Sequence, residues 1–283
     1  SLFEGDSMAA PWGTGDFLLY GNQVVEPLFE SKFEFDWLSE LAKRLGIDDF
    51  SEGCTSVREW NHLLYDRLRK KETELPKFET ANGGYRYREP KIHVAFKEQR
   101  EDFKNHPFPT ESGKIEIYSK NLEKFHNETE IPPIPKYVPA FEGVEDSKSR
   151  EYPLQLIGWH TKRRCHSIHD NNPWMEEIEP HRMWINPVDA KKRGIKESDI
   201  VIIYNDRGEI KMQAHVSERI MAGVICIPQG AWHQPDSDGV DIRGSVNTLT
   251  IARPTPLAKG NPQHSCLVEV KKGREITDEN HTS

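Results

Sequence analysis

The segment Gly158-Trp-His-Thr-Lys-Arg-Arg-Cys-His-Ser167 gathers more chemistry-bearing side chains than any other stretch of the 283-residue sequence. Between His160 and His166 lie five groups able to carry positive charge: His160, Lys162, Arg163, Arg164 and His166. Trp159 adds an aromatic face, and Gly158 lets a ligand approach the main chain closely. Guanidinium forks and backbone N–H groups match phosphate oxygens in pairs. The run follows the apolar stretch Leu154–Trp159, so it reads as a loop at a strand end, able to hold a pyrophosphate. On spacing alone, a solvated basic loop accounts for the same residues.

Other candidates are weaker. Cys165 sits among cations that favour a thiolate, which opens a nucleophilic role, but no His–Asp or His–Asn arrangement is legible around it. His160, His166 and His169 lie in a basic run that repels a metal cation and share no helix face. Cys54, Cys165, Cys226 and Cys266 include no pair at CxxC spacing, so a zinc site or iron–sulfur cluster within the chain is unsupported. Asp236-Ser-Asp-Gly-Val-Asp241 lacks the spacing and terminal Glu of a calcium loop. In Arg243-Gly-Ser-Val-Asn-Thr-Leu-Thr250, Asn247 is both donor and acceptor and suits the edge of a heterocycle. Pro254 to His264 is long, irregular and rich in hydrogen-bonding groups.

The elements that must position these residues fall into two rhythms. In the first half, Trp37, Leu38, Leu41 and Leu45 recur at helical spacing before Gly46 and predict a helix over Asp36–Gly46 with a core-facing stripe. Ser56 and Glu59 form a capping-box pattern ahead of Val57, Trp60, Leu64 and Leu68. Strands are expected at Phe17–Tyr20, at Lys91–Phe96 and after the Ser112-Gly-Lys turn, with a short helix in Ser119–Asn127. Pro132, Pro133, Pro135 and Pro139 then predict an extended linker. In the second half, Leu154–Trp159, Asp199–Tyr204, Glu209–Val216, Val224–Pro228 and Leu267–Lys271 read as strands, with Asn205–Gly208 as a hairpin turn. Asn186 caps a helix that Pro187 starts and Gly194 stops. Many short strands around one small helix predict a closed β-barrel or sandwich. The domains expected are an α/β region with a proline-rich linker over 1–145, a β domain over 151–272 and a polar tail over 273–283.

Charge narrows the function classes. Residues 1–150 hold 21 Lys and Arg against 28 Asp and Glu, whereas Glu151–Val270 is near balance with 14 against 15. Neither half presents the basic face that nucleic acid requires. No apolar run approaches the ~20 residues of a membrane span. The opening Ser-Leu-Phe-Glu, without Met, suggests a truncated or processed product.

In order along the chain, several blocks resemble the C-terminal part of the catalytic subunit in the dimethyl sulfoxide reductase family of molybdopterin oxidoreductases. They are Leu154-Gln-Leu-Ile-Gly-Trp-His160 with Arg164-Cys-His-Ser167, Met183-Trp-Ile-Asn-Pro-Val-Asp-Ala190 with Arg193-Gly-Ile195, and Asn205-Asp-Arg-Gly-Glu209. Gly230-Ala-Trp-His233, Ser245-Val-Asn-Thr-Leu-Thr250 and Pro256-Leu-Ala-Lys-Gly-Asn-Pro-Gln-His264 follow. Leu41-Ala-Lys-Arg-Leu-Gly46 and Ser112-Gly-Lys-Ile-Glu-Ile-Tyr-Ser119 extend the likeness into the first half. The resemblance implies a six-stranded double-psi-type β-barrel over 151–272, preceded by a helical α/β segment. It implies one of two molybdopterin guanine dinucleotides of a bis-dinucleotide molybdenum centre, held by Gly158, Trp159, His160, Arg163, Arg164, Cys165, His166 and Ser167 with Trp232, Asn247 and His264. No residue here is expected to ligate the metal or to be catalytic; the molybdenum ligand and a 4Fe-4S cluster belong to N-terminal domains outside the chain, without which it should not turn over. The likeness further implies an S- or N-oxide substrate, an iron–sulfur electron-transfer subunit, a membrane-anchor subunit and a periplasmic setting. A stand-alone barrel binding a nucleotide or partner, and a hydrolase using Cys165, are the competing readings.

Overall fold

A computed structural model describes residues 3–10, 16–72, 74–78, 83–86, 89 and 92–273. Two compact units divide the chain, Ser1–Lys114 and Ile115–Ser283. The expected tail falls outside the described residues from 274 onward.

In the first unit, β1 (Ser7–Ala9), β2 (Phe17–Gly21) and β3 (Gly83–Arg86) form an antiparallel sheet. Leu18, Tyr20, Tyr65, Leu75 and Phe78 make its core with α2 (Val57–Arg69). Ser56 caps α2 by accepting from Glu59 N (3.2 Å), and the Glu59 carboxylate reaches back to Thr55 N (2.7 Å). In α1 (Glu34–Arg44) the expected stripe does not enter a core: Trp37, Leu41 and Leu45 are exposed, and Phe35 and Ala42 are buried instead. Periodicity finds an apolar stripe but not what lies opposite it. The strand expected to end at Phe96 is absent over 92–96, as is the one after Gly113. Phe96 adopts a left-handed conformation that opens α3 (Lys97–Glu101), and Ile115 and Ile117 stand exposed. These apolar runs gain no ladder partner, and a lone extended segment is not a strand.

In the second unit, α4 (Lys120–Glu123) and a 3-10 turn (Ser147–Arg150) precede a closed six-stranded barrel. Its strands are β4 (Leu154–Trp159), β5 (Met183–Ile185), β6 (Ile200–Tyr204), β7 (Glu209–Val216), β8 (Val224–Pro228) and β9 (Leu267–Lys272), ordered β4-β8-β5-β7-β6-β9. β4 runs parallel to β8 and β5 parallel to β7; β9 closes the barrel against β4 through Leu154↔Val268. Each antiparallel wall shows the period of two: in β6, Val201 and Ile203 point inward, and in β7, Ile210, Met212 and Ala214 do. β8 is different, with Ile225, Cys226, Ile227 and Pro228 all buried because both of its faces are covered. Leu154, Leu156, Met183, Ile185, Ile225 and Val268 fill the centre, each contributing roughly 1.5–3 kcal/mol of burial. The closed mixed barrel preceded by helices is the architecture expected.

α6 (Pro187–Lys192) seals the wall as the sequence predicts: Asn186 Oδ1 accepts from Val188 N (2.9 Å), and buried Asp189 accepts from Gly223 N (2.6 Å). The hairpin at Asn205–Gly208 also holds, and Asn205 ties it inward by donating to Leu249 O (2.9 Å) and Leu267 O (3.1 Å). The segment before β4 is bound to the barrel by Glu142. Its two oxygens accept from Arg207 Nη1 (2.6 Å) and Nη2 (2.8 Å), and Oε2 also accepts from Leu267 N (3.1 Å).

Candidate functional site

The long connection from β4 to α5 (Pro173–Ile178) carries the basic run. Gly158, near the end of β4, donates its N–H to His264 Nδ1 (3.2 Å), so two residues 106 positions apart meet. With Nδ1 accepting, the ring hydrogen of His264 sits on Nε2. A Cβ at 158 would lie 2.8 Å from Gln229 Cγ, which explains the glycine. Trp159 stacks edge-on against Trp184 (5.5 Å), and its indole Nε1 is buried without a partner among the described residues.

The five cations of the run do not form one ligand-facing set. Arg163 and Arg164 are buried to 1% side-chain exposure. Arg163 Nη1 pairs with Glu176 (2.5 Å), and its Nη2 has no partner among the described residues. Arg164 Nη1 pairs with Asp170; its Nε donates to Gln229 O (2.9 Å) and its Nη2 to Pro228 O (3.3 Å). Two guanidinium charges are therefore neutralised inside the protein, since a buried charge without a counterion is far too costly. His160, Lys162 and His166 remain outward, with His160 and His166 edge to face at 5.1 Å. Cys165 and Ser167 are exposed beside them. Linear sequence gives the sign of each side chain but not whether an acid folds onto it.

Three residues to which sequence reasoning gave no role organise the site. Asp170, 1% exposed, accepts from Arg164, from Trp232 N (2.9 Å) and from Arg243 Nε (3.0 Å). Burial alone would raise its pKa, but the Trp232 N–H, Arg243 and Arg164 outweigh it and hold the carboxyl below its ordinary range. His181 bridges Arg164 Nη2 (2.9 Å) and Gly244 O (3.3 Å). Burial first, and the Arg164 charge second, bring its pKa down from 6.5 to about 4, so the ring is neutral at pH 7 and donates from Nε2. Gly230, at φ +94°, lies under the loop so closely that a Cβ there would sit 1.8 Å from His166 O. The only prior signal was an acid soon after the basic run, and glycines among otherwise polar blocks.

Trp232 donates its indole N–H to Ser167 O (2.9 Å) and lines a cavity of about 750 Å³ with Asn171, Asn172, His233 and Arg243. Asn247, exposed in the 3-10 turn Val246–Thr248, lines a different cavity of about 440 Å³ with Arg253, Lys259 and Asn261. Buried Asp241 shapes the connection between them by accepting from Gln234, Arg243, Gly244 and Ser245 N–H groups. The structure thus joins 158–167 with Trp232 and His264 at one end of the barrel, while Asn247 opens onto a neighbouring pocket.

A closed mixed barrel with a donor-rich loop leaving its first strand is an architecture for gripping an anionic cofactor, and residues 154–267 match the family described as Molydopterin dinucleotide binding domain. The chain is 44% identical to a dimethyl sulfoxide reductase of Escherichia coli K12 and 41% identical to one of Haemophilus influenzae, over 94% and 90% of its length. It is 33% identical, over 90%, to a dimethyl sulfoxide/trimethylamine N-oxide reductase of Cereibacter sphaeroides. Its barrel thus matches the molybdopterin dinucleotide-binding family, and the chain as a whole is similar to members of the dimethyl sulfoxide reductase family of molybdopterin oxidoreductases. It spans about a third of the length of these relatives (34%, 33% and 33%). Among solved structures, acetylene hydratase from Pelobacter acetylenicus shares the fold at TM-score 0.65 and 20% identity, over 96% of this chain and 37% of that one. Among the described residues, no helix is long and apolar enough to cross a membrane.

Proposed function

We propose that this chain is the C-terminal portion of a molybdenum oxidoreductase that reduces dimethyl sulfoxide or a related S- or N-oxide, and that its barrel holds one molybdopterin guanine dinucleotide of a bis-dinucleotide centre. The observation carrying this reading is the loop 158–167 of the dinucleotide-binding barrel, where donors converge. The group fits the residues present: Arg163 Nη2 and Trp159 Nε1 are buried donors without partners among the described residues, and His160, Lys162, His166 and His264 add exposed ones. Buried donors left unmatched are costly, and a phosphate- and heterocycle-bearing ligand supplies acceptors.

Each part has a distinct task in this reading. Lys162 and the imidazoles of His160 and His166 meet the pyrophosphate, with Cys165 and Ser167 giving main-chain contacts. Gly158 allows Gln229 and His264 to close under the pterin, His264 donating from Nε2. Trp159 and Trp232 supply aromatic walls, and Asn247 reads a heterocycle edge. Arg163 and Arg164 act from beneath, through Glu176 and Asp170. When bound, the molybdenum centre supplies two-electron oxygen-atom transfer, taking the oxygen of the oxide to water with two protons. The metal ligand, a 4Fe-4S cluster and the substrate pocket belong to the remainder of the polypeptide in this scheme. An iron–sulfur subunit and a membrane anchor at the periplasmic face would deliver electrons.

The test is acid release from the purified full-length protein, followed by pterin fluorescence and nucleotide chromatography, with oxide-dependent oxidation of a reduced viologen. Release of pterin and GMP with turnover of dimethyl sulfoxide is expected. A protein that contains neither pterin nor guanine nucleotide refutes the reading.

A further inference from the structure

One carboxylate joins three chain segments that are distant in sequence. Asp170 closes the loop that opens at Gly158. Its Oδ1 accepts from Arg164 Nη1, on that same loop, and Arg164 reaches on to the carbonyls of Pro228 and Gln229. Its Oδ2 accepts from Trp232 N (2.9 Å) and from Arg243 Nε (3.0 Å), and its own carbonyl accepts from Arg243 Nη2. Arg243 precedes the turn that presents Asn247. At 1% exposure the carboxylate cannot itself meet a ligand.

We propose that Asp170 is the positioning residue of this site, fixing segments 158–170, 228–232 and 243–247 to one another and so setting the span across which the dinucleotide is gripped. The proposal rests on the cofactor reading above. Its reason is geometric and electrostatic. Charge-assisted bonds in a low-dielectric setting are short and directional, so they fix position as well as adding energy. The same carboxylate also cancels the Arg164 charge, which leaves the ligand-facing charge to Lys162 and the imidazoles.

The experiment uses the full-length holoenzyme and three variants. Asp170→Asn removes the charge. Arg243→Lys keeps the cation but cannot bridge both the carboxylate and the carbonyl. Arg193→Lys serves as the comparison, because Arg193 makes an equivalent two-point pair with Glu269 on the barrel wall (2.5 and 3.1 Å). Each protein is held the same interval below its own unfolding midpoint, so that general weakening is matched. Cofactor loss is followed by the decay of its visible absorption and by the pterin retained after gel filtration. Arg243→Lys is expected to lose cofactor about tenfold faster than Arg193→Lys, the scale on which groups that orient ligand-contacting residues act. Asp170→Asn should match or exceed that; where it does not fold, Arg243→Lys decides. Equal loss from Arg243→Lys and Arg193→Lys overturns the proposal. A wild-type protein that releases no pterin overturns the functional reading instead, so the two failures are distinct.

Discussion

Replacing Gly230 by Ala isolates the contact on which the basic loop rests. At φ +94° the added Cβ would lie 1.8 Å from His166 O and 2.4 Å from His166 C, both backbone atoms. Because real Cβ contacts do not fall below 3.0 Å, one of the two segments must move by more than 1 Å. An L side chain in the left-handed region costs about 1–2 kcal/mol. Displacing the loop also breaks Trp232 Nε1–H to Ser167 O (2.9 Å) and Ile168 N–H to Cys165 O (3.0 Å), at roughly 1 kcal/mol each. The total, about 3–4 kcal/mol, corresponds to a fall of roughly 10 °C in the unfolding midpoint of a domain of this size. Gly239→Ala provides the comparison. Gly239 has a similar φ of +81° with nothing within 4 Å of the added Cβ, so it should cost only about 1 kcal/mol, or roughly 2–4 °C. Thermal unfolding followed by circular dichroism measures both. If the two variants lose the same amount, the close approach of the loop to Gly230 does not exist as described.

Three further outcomes follow from the same structure. His181 is neutral in the fold down to about pH 4 but protonates near 6.5 when unfolded. Its contribution is fully present above pH 6.5 and falls as pH drops towards 4, by about 3 kcal/mol in all; denaturant titrations across that window should show the slope, and His181→Gln should flatten it. Glu142→Gln removes the two-point carboxylate partner of Arg207, leaving it Asp206 alone (3.2 Å), and should cost about 2 kcal/mol, read as a lowered denaturation midpoint with an unchanged slope. A polypeptide beginning at Ala140 should accordingly be more stable than one beginning at Glu151, which lacks Glu142, and equal midpoints would remove that residue's role.

The sequence alone determined much of the local structure of the barrel, although α5 and β5 were not read from it. Alternation in Val201–Ile203 and Ile210–Ala214, the Asn186-Pro187 start of α6 and the Asn205–Gly208 turn are short-range patterns, written in neighbouring residues. The uniformly apolar Val224–Pro228 also read as a strand, and the structure showed it covered on both sides. The density of cations at 160–166 and the ordered blocks that followed it also picked out the candidate site. What tertiary structure decided was which of those cations remains available. Burial and pairing are properties of residues brought together across 6 to 73 positions, as Arg164, Asp170 and Arg243 are, and no local spacing encodes them. The same applies to Trp37, Leu41 and Leu45, whose helical stripe is legible but exposed, and to Gly158 meeting His264 through the pairing of β4 with β9. A periodic pattern records what one element offers. Closure of the barrel selects what it meets, and in the basic run it turned two of the five cations inward onto acids and left Lys162 and the imidazoles facing out.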